Sequence, residues 1–230
     1  MVKYTCYLVM VMKTKKLDII YEDKYLLVIN KPTKLLTVST DKEKEHTLFH
    51  EASLYVKKKH KSNKVFIVHR LDKDTSGVVI FAKDEKTKRL LQENWNKYAT
   101  KREYIGLVKG KISPKTNTLK NKLVETKTNQ VFVDDNCKYG KTAITKYELI
   151  KYVGENSLIN IEIFTGRKNQ IRAQLDNYGY PIIGDMKYKK NKSFYNRLML
   201  HASKLEVINP YNKELMIFES SLPKEFKELL

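Results

Sequence analysis

The sequence predicts an α+β protein with an antiparallel β-sheet at its centre. Three observations carry this. Runs rich in β-branched and aromatic residues recur along the whole chain. Several of them are joined by turns too short to hold a crossover helix, which favours antiparallel pairing. Only three segments carry a helical spacing of apolar residues. The 230 residues suffice for one large domain or two small ones with a substantial core. A hydrophobic content of 41% and an aromatic content of 10% suit a folded chain rather than a disordered one.

The elements follow in order. Leu26–Ile29 (LLVI) reads as the first strand, and His46–His60 as a helix. Val65–Val68 (VFIV) and Val78–Ala82 (VVIFA) are apolar strands on either side of a polar loop. Asp84–Tyr98 places Leu90, Leu91 and Trp95 on one helical face, with Asp84 as N-cap. Strands are expected at Tyr104–Val108, Thr142–Ile150, Leu158–Phe164 and Leu205–Ile208. Asn169–Asn177 is expected to form a short helix, stopped by Gly179 and Pro181. No repeat, low-complexity tract or Gly/Ser-rich linker divides the chain.

Charge gives the first functional indication. Lys and Arg total 45 against 26 Asp and Glu, a formal net charge of +19. Such an excess points to a polyanionic partner or an anionic surface, or simply to basic surface drift. Tyr4–Met12 is the one apolar segment that invites a membrane reading, and it is far shorter than the roughly 20 residues a spanning helix needs. Met10 and Met12 are alternative starts. Cys6 and Cys137 form neither a disulfide framework nor a zinc site, and His46 and His50 lack a third ligand at suitable spacing. The chain reads as soluble and cytoplasmic, without membrane association.

Two segments concentrate chemistry. In Val68–Lys83 (VHRLDKDTSGVVIFAK) an apolar strand enters a loop carrying His69, Arg70, Asp72, Asp74, Thr75 and Ser76, then turns at Gly77 into a second strand. Polar groups at the seam of two buried strands are costly unless used. The spacing Asp72-x-Asp74-x-Ser76-Gly77 resembles the opening of a calcium loop, but the twelfth position is Lys83 instead of Glu, and the flanks are strands. A structural turn held by Asp72 and Asp74 and a catalytic Asp72 beside an arginine both remain open from the residues alone. The second segment, Ile163–Asp185, ends a strand at Thr165-Gly166 and carries Arg167, Lys168, Gln170 and Arg172 into a short helix. Cations there oppose the helix dipole, which makes sense if they meet phosphates or a carboxylate; an ordinary solvated basic face is the plainer reading.

HRLDKDTSGVVIFAK resembles the HRLD-x-x-TSG signature of the RluA family of pseudouridine synthases. TGRKNQIRAQL…GYPIIGD resembles that family's TGR-x-HQIR…G-x-PI-x-GD block. Three more pieces stand in the family's order: VINKP at 28–32, KREYIGLV at 101–108 and RLMLHA at 197–202. The resemblance implies a mixed, mainly antiparallel sheet flanked by helices and loops, the pseudouridine synthase catalytic fold, over residues 17–230 after an extension at 1–16. It implies Asp72 as the catalytic residue. Arg70 would help fill the space left by a flipped nucleotide, Tyr104 would stack on the target base, and Arg172 would pair with the aspartate. Ile171 and Leu200 would wall the uracil pocket, and Arg167, Lys168, Asn169 and Gln170 would line the substrate side. The implied partner is RNA (rRNA and/or tRNA), bound by a monomer without cofactor or metal.

Three departures from the family pattern stand out: Lys34 where a Gly often follows N-K-P, Asn169 in place of His, and Gly106 in place of Ala. The chain also lacks the N-terminal ribosomal-protein-like RNA-binding domain of longer members, so RNA capture would fall to the catalytic domain. The rival functions are an inactive RNA-binding protein of the same fold and a small-substrate sugar hydrolase. The second would need a second carboxylate, for which Asp74 is the only close candidate.

Overall fold

The computed structural model describes residues 17–41, 43–188 and 195–230, so the expected extension at 1–16 and its alternative starts lie outside the described residues. The strands are β1 (Ile19–Glu22), β2 (Leu26–Lys31), β3 (Phe66–Ile67), β4 (Ser76–Ala82), β5 (Ala99–Lys109), β6 (Thr116–Glu125), β7 (Val131–Val133), β8 (Lys141–Val153), β9 (Asn156–Ile163), β10 (Leu200–Ile208) and β11 (Leu215–Glu219). The helices are α1 (Leu48–Lys59), α2 (Glu85–Glu93), α3 (Trp95–Tyr98), α4 (Gln170–Asn177) and α5 (Lys224–Lys227). The strands form a single sheet in the order β1-β2-β4-β10-β5-β9-β8-β6-β7, with β11 on β10 and β3 on β4. Among the described strands only β4 and β10 pair in parallel, so the sheet is mixed and mainly antiparallel.

The expected strands all form, most of them longer at the ends. Two helices differ from expectation. The His46–His60 helix starts at Leu48, where the Thr47 hydroxyl accepts from the His50 N–H and caps it. The segment expected as one helix over Asp84–Tyr98 is two. Asp84 does cap the first, but Asn94 takes φ −124° and ψ 34°, which breaks the helix before Trp95.

β4 explains why its run is apolar throughout: every residue is buried. Val78, Ile80 and Ala82 pack with Leu91 of α2 on one side, and Val79 and Phe81 pack with Leu48, Ala52 and Val56 of α1 on the other. A third cluster gathers β5, β9 and Ile171 and Leu175 of α4. Tyr104 touches both the α1-side and the α4-side clusters, which marks the seam between them. At that seam Gly77 pairs with Ala202 at φ +118°, and a Cβ there would lie 2.0 Å from the Ala202 carbonyl oxygen. Only glycine allows β10 to approach β4 so closely.

Candidate active site

Four segments meet over the β4–β10–β5 seam: the loop from β3 to β4, β5, the turn from β9 into α4, and the start of β10. They enclose a recess of about 90 Å³ lined by Arg70, Asp72, Tyr104, Arg167, Asn169, Gln170, Ile171, Arg172 and Leu200, among others. The recess adjoins a trough of about 480 Å³ that also reaches Lys168 and Lys187. Every expected site residue therefore borders this cleft, Lys168 only at the trough.

Asp72 is partly exposed, its side chain 28% accessible, and Arg172 Nη1 lies 3.4 Å from its Oδ2. The guanidinium of Arg172 is buried, and its main partner is a residue that sequence reasoning did not single out. Nε and Nη2 donate to the two oxygens of Asp185 at 2.7 and 2.8 Å, a bidentate fork. Asp185 is itself buried and also accepts from the backbone N–H groups of Lys187 and Tyr188. Burial works against the charge on Arg172. The hydrogen bonds and charge of Asp185, with the charge of Asp72, outweigh it and push the pKa up. The remaining donor, Nη1, is thereby aimed at Asp72 and at Asn169 Oδ1, 3.2 Å away. Asp185 stands in the GYPIIGD stretch already noted, but nothing in its spacing from Arg172 signals a pair.

The loop carrying Asp72 is held through its backbone groups, and among the described residues no hydrogen bond from the turn to the Asp72 or Asp74 carboxylate replaces them. Thr75 N–H donates to the Asp72 carbonyl. The ammonium of Lys31, wholly buried, donates to the carbonyls of Pro32, Leu35 and Lys73. Thr33 holds the Asp74 carbonyl, and the Thr37 hydroxyl bonds both backbone groups of Leu71. Burial lowers Lys31 to about 7 against the pull of Asp74 and Asp72. Its positioning role was not legible in VINKP. His69 accepts the Ile80 N–H through Nε2 and stacks on Trp95 at 4.8 Å. Burial, aided by Arg102, drives its pKa down to about 4, so it stays neutral.

Tyr104 is pushed up to about 12 by burial, with Arg102 opposing and Asp72 adding to the rise, so its phenol keeps its proton at neutral pH. Two expectations change. Gln170 has no hydrogen-bonding capacity left for a substrate: its oxygen accepts from Thr165 and the Arg167 N–H, and its amide donates to Ile144 and Thr145. It shapes the turn instead. Arg167 and Lys168 precede α4 rather than opening it, and Lys168 pairs with Glu125 while Arg167 Nε donates to the Thr142 carbonyl. Arg70 is exposed and makes no hydrogen bond or ion pair with the described residues.

Residues 25–177 match the family model described as RNA pseudouridylate synthase. The chain belongs to the RNA pseudouridylate synthase family. The synthase is an isomerase of the RluA type. It is 32% identical over 218 residues to the Bacillus subtilis RNA pseudouridine synthase YhcT, covering 93% of this chain and 71% of that one. It is 34% identical to ribosomal large subunit pseudouridine synthase D of Borreliella burgdorferi, over 90% of this chain and 66% of the relative. It is 30% identical to tRNA pseudouridine synthase C of Haemophilus ducreyi, over 93% and 94%. The solved human RNA pseudouridylate synthase domain containing 4 shares the fold, with a TM-score of 0.76 at 22% identity over 91% and 90% of the two chains.

The synthase's departures from the family pattern have physical readings. Lys34 sits at φ +64°, a left-handed position that suits the Gly often found there. Asn169 sits at φ +51°, a conformation that Asn tolerates better than most residues. At Gly106 a Cβ would lie 3.0 Å from Ile161 Cδ1 and 3.3 Å from Ile182 Cδ1, so isoleucine methyl groups occupy the space an Ala would need.

Proposed function

We propose that the synthase converts uridine to pseudouridine in rRNA or tRNA, with Asp72 as the catalytic carboxylate acting on a flipped-out nucleotide. The named activities of its ribosomal and tRNA relatives support these substrates. The observation that carries the reading is the setting of Asp72: a carboxylate open to the recess and facing a buried arginine whose remaining donor is directed at it.

The isomerisation breaks the bond between uracil N1 and ribose C1′, turns the base and joins its carbon 5 to C1′, with loss of the proton at carbon 5. One carboxylate serves as nucleophile toward C1′ or the base, or as base toward a ribose proton. In this reading Arg172 fixes Asp72 and stabilises its negative charge. Tyr104, protonated, offers a flat face on which the flipped base stacks, worth about 1–3 kcal/mol. That offsets much of the few kcal/mol needed to unstack a base. Ile171 and Leu200 wall the recess, and Arg70, without a hydrogen bond or ion pair among the described residues, is placed to reach into the helix left by the nucleotide. The excess of basic residues supplies salt-dependent affinity for phosphates. The same reading has the synthase work as a cytoplasmic monomer.

The test is tritium release from bulk tRNA and rRNA labelled at uridine carbon 5. Release by wild type and none by Asp72→Asn, with RNA binding retained, is expected. Release by both proteins would remove Asp72 from the chemistry.

A further inference from the structure

Beside the uridine recess lies a second cavity, of about 340 Å³, that shares Arg70, Tyr104 and Arg167 with it. Its walls carry three guanidiniums, those of Arg70, Arg102 and Arg167, and no carboxylate. Arg102 stands two residues before Tyr104 on β5 and is only 8% exposed. Its Nε is buried with no hydrogen-bond partner. Nη2 reaches only the exposed Asn96, donating to Oδ1 at a long 3.4 Å. Gly166 leaves room for the guanidinium, since a Cβ there would come within 3.4 Å of Nη1.

A buried guanidinium without a counter-charge is costly, and natural sites retain such groups where an anion completes them. Burial lowers the pKa of Arg102; the neighbouring Tyr104 opposes this, and no carboxylate does. The neighbouring His69 is neutral. Its Nε2 accepts the Ile80 N–H, so its proton resides on Nδ1 and adds a donor rather than an acceptor.

We infer that this cavity is a subsite for a backbone phosphate next to the flipped uridine, with Arg102 as its principal donor and Arg70 and Arg167 at its rim. It rests on the function proposed above, because the phosphate belongs to the strand whose uridine enters the recess. The planar fork of Arg102 matches a phosphodiester's two free oxygens. Arg102 thus couples the register of the RNA strand to the residue that faces the base.

The test uses the full chain and two variants, Asn96→Asp and Arg102→Gln. Asn96→Asp keeps Arg102 in place and sets a competing carboxylate beside it. It should raise KM for the RNA pool on which wild type is active about tenfold, more than it lowers kcat, while thermal stability is unchanged or higher. Arg102→Gln should raise KM at least as much and reduce the salt slope of RNA binding by about one phosphate contact. The inference is overturned if Asn96→Asp leaves KM and the salt slope unchanged, or if Arg102→Gln lowers only kcat, which would make Arg102 a support for Tyr104. It is also overturned if inorganic phosphate, at fixed ionic strength, stabilises wild type but not Asn96→Asp while RNA affinity is equal in both. The site would then take the free ion. Absence of tritium release by wild type, with RNA binding still weakened by Asn96→Asp, would refute the proposed reaction and leave the phosphate subsite standing.

Discussion

The Arg172–Asp185 pair can be tested by separating its stability from its role. Arg172→Met removes both oxygens' partner from Asp185, the contact to Asn169 and the approach to Asp72. Asp185 stays buried, with only the N–H groups of Lys187 and Tyr188 to hold its charge. Breaking one side of a buried pair costs about 3–5 kcal/mol. The two backbone donors place this case toward the lower end, about 3 kcal/mol, or a fall in Tm of roughly 6–12 °C for a chain of this size. Asp185→Asn should cost a similar amount, eased because Arg172 can turn further toward Asp72. In the double variant neither charge is stranded, so its loss should fall short of the sum by about 2 kcal/mol. Thermal and urea unfolding followed by circular dichroism measures all three, and tritium release measures activity. Activity should be lost wherever Arg172 is replaced, including in the double variant. Costs that add to within about 0.5 kcal/mol would refute the coupling, and an active double variant would refute the role of Arg172 toward Asp72.

Three further outcomes are expected. Lys34→Gly should relieve a left-handed residue and raise stability by about 1 kcal/mol, read as a Tm increase of about 2–4 °C; no change would mean that the turn is unstrained. Lys31→Met should leave three carbonyls without their donor and cost about 1–3 kcal/mol. Its kcat should fall more than its KM rises, because the loop bearing Asp72 loosens; unchanged kinetics would count against the positioning role. His201, bonded to Ser76 and Ser220, is driven down to about 3 by burial and by Arg197, and His69 to about 4. Both folded values lie below the unfolded 6.5, so the unfolded chain takes up protons first as pH falls, and stability drops from about pH 6.5 downward. Urea midpoints at pH 7 and pH 5 should differ by a few kcal/mol in stability. A flat profile would show the two rings to be less enclosed than they are here.

β4 announced itself because it is buried throughout, and β5 and β9 did so through their apolar, buried stretches at Leu107–Val108 and Leu158–Ile163. β6 did not: TNTLKNKLVE is mostly polar, and only Leu119 and Leu123 turn inward. The break at Asn94 was hidden because Asn is an ordinary helix residue until its backbone is seen. Within the site, Asp72, Tyr104 and Arg172 were legible through motif resemblance, whereas the burial of Lys31, Asp185 and Arg102, and the pairing of Asp185 with Arg172, appear only once the chain is folded. Lys31 meets Lys73 across 42 positions, a proximity that no local pattern encodes.

The parallel pairing of β4 with β10 has a consequence for how the protein is made. β10 lies between β4 and β5, so the two halves of the sheet meet only through a strand that begins at residue 200. A nascent chain that has released residues 17–185 already holds Asp72, Tyr104, Arg172 and Asp185, yet has an open gap where the floor of the cleft belongs. Leu200 and the Ala202 backbone that closes on Gly77 arrive only after all the other cleft residues. The cleft therefore closes in one step rather than gradually, and it stays open until β10 has emerged and paired with both β4 and β5.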